Sequence, residues 1–190
     1  LTSVESCPVL VPAIGERIGN LKELVRKLSV FTEIPQIEIA FGDDRGALIV
    51  RHMQPLSCDD LEHLQDFGRT AGVAIFLQPG GPDSVSRLYS PWGDGALRYA
   101  ATSDCELEFQ PTDFTQVNLQ VNRLMVEQAL IWLALREQDE VLDLFCGLGN
   151  FTLALARSCQ AVVGIEGSLD MVRRATHNAV LNLIDNASFH

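Results

Sequence analysis

The stretch Asp143-Leu-Phe-Cys-Gly-Leu-Gly-Asn-Phe-Thr152 decides how this chain folds. The apolar run Val141–Phe145 predicts a strand, and a helix is expected to begin near Asn150. A second apolar run, Ala161–Ile165, predicts another strand and ends in Glu166. Strand, glycine turn, helix, strand and acid in that order predict a β-α-β unit. Gly147 and Gly149 let the backbone come close to a ligand, and the helix N-terminus offers unpaired N–H groups. Glu166, just past the second strand, stands where a carboxylate can accept hydrogen bonds from ribose hydroxyls. Asp143 lies in an otherwise apolar strand end, where a carboxylate needs a partner. A ligand that carries a ribose is the expected occupant.

The turn departs from the dinucleotide fingerprint Gly-x-Gly-x-x-Gly, because Thr152 stands at the third glycine position. That speaks against a NAD-dependent oxidoreductase. A phosphate-loop NTPase is excluded more firmly, since Gly-Lys-Ser/Thr is absent. The pattern acid-x-x-x-Gly-x-Gly from Asp143 to Gly149 instead resembles the first motif of Rossmann-like methyltransferases that use S-adenosylmethionine. The competing reading is a tight β-α turn that binds nothing.

Composition sets the outer limits. At 190 residues and 47% hydrophobic content, the chain can form one large domain or two small ones. It has no apolar run of about 18 residues, so no membrane span is expected. Its five cysteines, Cys7, Cys58, Cys105, Cys146 and Cys159, are scattered and odd in number. This pattern fits a reducing cytoplasm rather than a disulfide framework. Cys146 reads as a small residue suited to a tight turn. The net charge of −11 does not favour nucleic-acid contact. Arg17, Lys22, Arg26 and Lys27 could make a local basic patch if they shared a helix face; a solvated helix face is the plainer reading. The chain starts without Met and ends early in what reads as a third strand, so it is expected to be an internal piece of a longer protein.

Residues 9–29 carry helical periodicity. Ile34–Gly42 and Ala47–Met53 predict a hairpin around Asp43-Asp-Arg-Gly46. A helix is expected from the Ser57 cap to Ala71, ended by Gly72. Strands follow at Val73–Gln78, Val85–Tyr89, Leu97–Ala100 and Glu106–Phe109. Residues 1–113 thus read as an α+β domain of antiparallel strands and two helices. Residues 114–190 read as the first part of a Rossmann-like domain, with a first helix over Asn118–Leu135. That helix is expected to face the core through Leu119, Val126, Ala129, Leu130 and Leu133.

Three segments together are more specific than any one. Phe114-Thr-Gln-Val-Asn118, the Asp143 stretch and Val163-Gly-Ile-Glu-Gly167 resemble the RNA uracil-5-methyltransferase family. Cys7-Pro-Val-Leu10 and Ser90-Pro-Trp92 resemble its bacterial 23S ribosomal RNA branch in order and approximate spacing. The resemblance covers essentially the whole chain. It implies an α/β protein, with an α+β central domain followed by a truncated S-adenosylmethionine-dependent methyltransferase domain. It also implies formation of 5-methyluridine in 23S ribosomal RNA. Transfer RNA as the substrate, or a non-catalytic RNA-interaction module on the same fold, are the alternatives.

In that family a cysteine thiolate adds to carbon-6 of uracil, the methyl group transfers to carbon-5, and a carboxylate base removes the carbon-5 proton. The family's nucleophile and base lie beyond His190, so no catalytic residue is expected here. The resemblance implies cofactor contacts at Gln116, Phe145, Asn150 and Glu166, with Asp143, Gly147 and Gly149 shaping the turn. Gln116 could instead cap the following helix, and Phe145 could be plain core. The resemblance further implies that Cys7 is one of four thiolates on a [4Fe–4S] cluster of the parent protein. The other three are not in this chain. Self-association through the strand at residue 141 is a last expectation, since truncation would leave that strand with an open edge.

Overall fold

The computed structural model describes residues 3–190. The chain forms two compact units, Leu1–Phe41 with Arg45–Gly95, and Gly42–Asp44 with Ala96–His190.

In the first unit, α1 (Pro12–Gly15) and α2 (Ile18–Lys27) precede the hairpin β1 (Gln36–Phe41) and β2 (Gly46–Arg51). Then come α3 (Cys58–Ala71), β3 (Ala74–Gln78) and β4 (Ser86–Tyr89). The helix expected over residues 9–29 is broken in two. The Cys7 loop folds back on Gly15, with the Cys7 N–H donating to the Gly15 carbonyl at 3.0 Å. A β-carbon on Gly15 would come within 2.4 Å of the Cys7 carbonyl oxygen. The axis restarts at Ile18.

The sheet order is β1-β2-β3-β4. β2 and β3 pair in parallel, with antiparallel neighbours on either side, so the expected all-antiparallel sheet is mixed. The reason is α3, a helical crossover between β2 and β3 that lets β3 run in the same direction as β2. Ser57 and Asp60 close a capping box on α3, and Gly72 ends it at φ 69°. Leu24, Leu48, Leu64 and Ile75 lie at the centre of this unit's core.

The second unit begins with the hairpin β5 (Leu97–Thr102) and β6 (Cys105–Phe109), followed by α4 (Leu119–Leu133). Then β7 (Glu140–Leu144), α5 (Thr152–Ala156), β8 (Ala161–Ile165), α6 (Leu169–Leu181) and β9 (Ala187–Phe189) alternate. The order β7-β8-β9 is parallel throughout, with Asp143 opposite Gly164. Packing divides the units at Gly95 rather than at Asp113, because the hairpin packs on α4 and α6.

Two asparagines of α6 bond to β6. Asn178 accepts from the Glu108 N–H at 2.9 Å and donates to the Glu108 and Leu148 carbonyls, both at 3.1 Å. Asn182, one turn on, accepts from the Glu106 N–H and donates to its carbonyl. Side chains thus satisfy the strand edge where a further strand would otherwise pair.

β7 is an edge strand, and Leu142 and Leu144 on it are 61% and 58% exposed. The buried stripe of α4 is narrower than expected: Asn122 and Val126 are buried, while Leu133 is exposed. Among the described residues, no helix is long and apolar enough to cross a membrane.

Candidate nucleotide-binding site

The site lies where β7 and β8 end side by side. β7 stops at Leu144, and Phe145 turns into the left-handed region at φ 63°. The strand was expected to include Phe145. That backbone conformation is unusual for a bulky residue and stores strain. Its ring is 89% exposed, which rules out the plain-core reading. Gly147 at φ 56° and Gly149 at φ 95° need their missing side chains to take this path. The turn uses residues 145–150, so α5 starts at Thr152 rather than near Asn150.

Glu166 closes the turn from β8. Its Oε2 accepts the Gly147 N–H at 3.0 Å, and its Oε1 accepts the Ser168 N–H at 2.9 Å. Each oxygen has acceptor capacity left for a further donor. The space over Gly147 is open, with nothing beyond its two chain neighbours within 4 Å of where a β-carbon would sit.

The partner that Asp143 required is Thr152, whose hydroxyl donates to Asp143 Oδ2 at 2.6 Å. The residue that breaks the dinucleotide pattern therefore holds the strand-end acid. Cys146 is buried, and a β-carbon on Gly164 would stand 2.8 Å from its sulfur. Burial, and then the nearby charges of Asp143 and Glu166, push its thiol up to about 11. Cys146 therefore packs inside the turn, against Gly164.

Asn150 does not face a ligand freely. Its Oδ1 accepts from the Tyr99 hydroxyl at 3.0 Å and from Asn122 Nδ2 at 2.8 Å. Its Nδ2 donates to Asn122 Oδ1 at 2.9 Å. Gln116 is exposed and forms no hydrogen bond among the described residues. It does not cap α4. Asn118 does, accepting the Val121 N–H at 3.0 Å.

Sequence reasoning missed Tyr99, Asn122 and the role of Thr152. A signal for Asn122 was present: it lies three residues after Leu119 and four before Val126, a polar residue on the predicted apolar face.

The four basic residues of the first unit do not form one patch. Arg17 and Lys27 line a groove between α2 and α3, with Glu23 and Asp66 beside them. Lys22 and Arg26 lie against Ile37 instead, and Lys22 is paired with Glu5. Helical geometry separates them, since residues ten apart do not share a face with those five or nine along. Among the described residues, no three His, Cys, Asp or Glu side chains are grouped to hold a metal. Cys7 contributes a single thiol, so the residues present do not compose an iron–sulfur site.

Adjacent parallel strands that end in a glycine turn and an acid make a Rossmann-like β-α-β unit. A family profile described as tRNA (Uracil-5-)-methyltransferase matches residues 98–190. The chain is 52% identical over 191 aligned residues to the 23S rRNA (uracil(1939)-C(5))-methyltransferase RlmD of Hahella chejuensis, covering 100% of this chain. The like-named protein of Alkalilimnicola ehrlichii is 46% identical, again over 100% of this chain. In both cases the chain spans 43% of the relative's length. Among solved structures, the Pyrococcus abyssi tRNA (uracil-54, C5)-methyltransferase in complex with S-adenosyl-L-homocysteine matches the fold. The TM-score is 0.71 at 19% identity, over 100% of this chain and 49% of that one. The chain belongs to the RNA uracil-5-methyltransferase family.

Proposed function

We propose that this sequence works as part of an S-adenosylmethionine-dependent enzyme that methylates carbon-5 of a uracil in 23S ribosomal RNA. The observation that carries the reading is the Glu166 carboxylate. It is anchored by the Gly147 and Ser168 N–H groups and still has acceptor capacity, at the mouth of an open glycine turn. The names of the curated relatives support ribosomal RNA as the substrate.

In this reading, the second unit supplies the cofactor half and the first unit the central domain. Glu166 accepts from the ribose hydroxyls. Gly147 and Gly149 let the backbone approach the ligand, Phe145 offers an exposed aromatic face, and Gln116 is free to donate or accept. Asp143, held by Thr152, keeps the end of β7 in shape. S-adenosylmethionine supplies the methyl group as an electrophilic carbon on sulfonium. The nucleophilic cysteine and the base are assigned to no residue of this chain. Cys7 would supply one of the four thiolates that a [4Fe–4S] cluster requires. A reducing cytoplasmic setting follows from the same reading.

The test is transfer of labelled methyl from S-adenosylmethionine by the full-length protein, using unmodified 23S ribosomal RNA and unmodified transfer RNA as substrates. Label in the 23S transcript alone is expected. Label in transfer RNA alone would move the substrate to the class that the family profile is described by. Label in neither would leave a non-catalytic module.

A further inference from the structure

Two positive-φ glycines make the turn at Gly147–Asn150 intrinsically loose. It is restrained at both ends. Glu166 holds Gly147, as described above. At the other end the Asn150 amide is fastened by three hydrogen bonds, two exchanged with Asn122 and one from Tyr99. Asn122 is 1% exposed and Tyr99 2% exposed, so the fastening lies in the interior, where polar groups must be satisfied. The Tyr99 ring is fixed edge-on against Phe109, with centroids 5.7 Å apart. Burial keeps its hydroxyl protonated well above the usual range, so it remains a donor.

Hydrogen-bond capacity decides what Asn150 can do. An amide oxygen accepts two bonds, and both are used here by Tyr99 and Asn122. Only one of its two N–H groups is left over. A side chain so occupied is poorly suited to read a ligand and well suited to hold a loop. We propose that Asn122 and Tyr99 are positioning residues: through Asn150 they lock the glycine turn in its ligand-binding conformation. Asn150 then acts by its place in the turn, with no side-chain contact to the ligand. Without the latch, ligand binding must also order the two glycines, and affinity falls by that entropy. The inference rests on the reading that this turn binds S-adenosylmethionine.

The experiment measures binding of S-adenosyl-L-homocysteine by calorimetry to the full-length protein and to N122A, N150A, N122A/N150A and Y99F. Each single asparagine variant is expected to bind about tenfold more weakly, and Y99F about threefold, as loss of one or two net hydrogen bonds implies. The double variant should bind within about twofold of either single one, because both substitutions break the same latch. In turnover, N122A should raise KM for S-adenosylmethionine while kcat at saturation and KM for RNA stay near wild type. Such a split separates positioning from general damage to the fold. Wild-type affinity in N122A overturns the latch, and so do losses in N122A and N150A that multiply in the double variant. If the asparagine variants fail to fold, Y99F decides, since it keeps the ring and removes one donor: unchanged affinity there overturns the proposal. No binding to the wild-type protein would instead overturn the cofactor reading, and the latch with it.

Discussion

Gly147 donates its backbone N–H to Glu166 Oε2 at 3.0 Å, so the acid after β8 closes the turn after β7. Removing the carboxylate therefore loosens the turn as well as losing a ribose acceptor. Glu166→Ala in the full-length protein is expected to weaken S-adenosyl-L-homocysteine by about 1.5–3 kcal/mol, the range for a hydrogen bond to a charged group. Glu166→Gln should lose less, since its amide oxygen can still accept one N–H. Calorimetry on the two variants checks this, and an Ala variant with wild-type affinity contradicts the ribose assignment.

Asn178 is 0% exposed and serves three backbone groups. Asn178→Ala should destabilise the second unit by about 2–3 kcal/mol, because three backbone groups, part-buried at Glu108 and buried at Leu148, lose this partner. Asn182→Ala, whose bonds are more exposed, should cost about 1 kcal/mol. Urea unfolding followed by circular dichroism measures both, and equal losses would refute the argument from burial.

The carboxyl of Asp60 is predicted to make the first unit acid-sensitive. Burial alone would raise its pKa; hydrogen bonds from Ser29 and Ser57 outweigh that and lower it from 3.8 to about 2. The folded state thus takes up this proton less readily than the unfolded chain. The stabilisation is complete above about pH 4 and is lost as pH falls toward 2, on the order of 2 kcal/mol in all. Thermal unfolding between pH 2 and 7 should show this loss in the wild type, and a smaller one in Asp60→Asn. Identical pH profiles would refute it.

Thiol labelling should follow burial. Cys58 is exposed, while Cys105 and Cys146 are buried. Burial chiefly pushes the Cys105 and Cys146 thiols up to about 11, leaving little thiolate at neutral pH. Iodoacetamide at pH 8 followed by peptide mass spectrometry should find Cys58 modified first, and Cys105 and Cys146 last. Early labelling of Cys146 would mean that the turn opens.

β7 presents an unpaired edge and the exposed side chains of Leu142 and Leu144. Such edges pair with other chains. The isolated 190-residue chain is expected to self-associate through residues 114–190. Sedimentation velocity, with hydrogen exchange at Leu142, tests this. A monomer that protects Leu142 as well as the first unit protects Leu48 would rule it out.

Local signals were legible because they depend on near neighbours. The Ser57 cap, Gly72 after α3 and the turn at Asp43–Gly46 are each set by a few adjacent residues, and each appears as read. Elements that depend on distant packing were not. The helix over residues 9–29 satisfies its own periodicity, yet Cys7 against Gly15 breaks it. Leu133 fits an apolar stripe, yet about half of it stays exposed among the described residues.

By itself the sequence determined the β-α-β unit, its glycine turn and the acid at the end of the second strand. Strand and helix periodicity, together with the backbone freedom of glycine, act over a few residues and leave little choice. Tertiary structure alone decided the parallel pairing of β2 with β3, the occupation of Asp143 by Thr152 and the three-way fastening of Asn150. Those outcomes depend on which polar groups are buried together. A buried donor takes whatever acceptor folding brings within about 3 Å, and linear order does not name it.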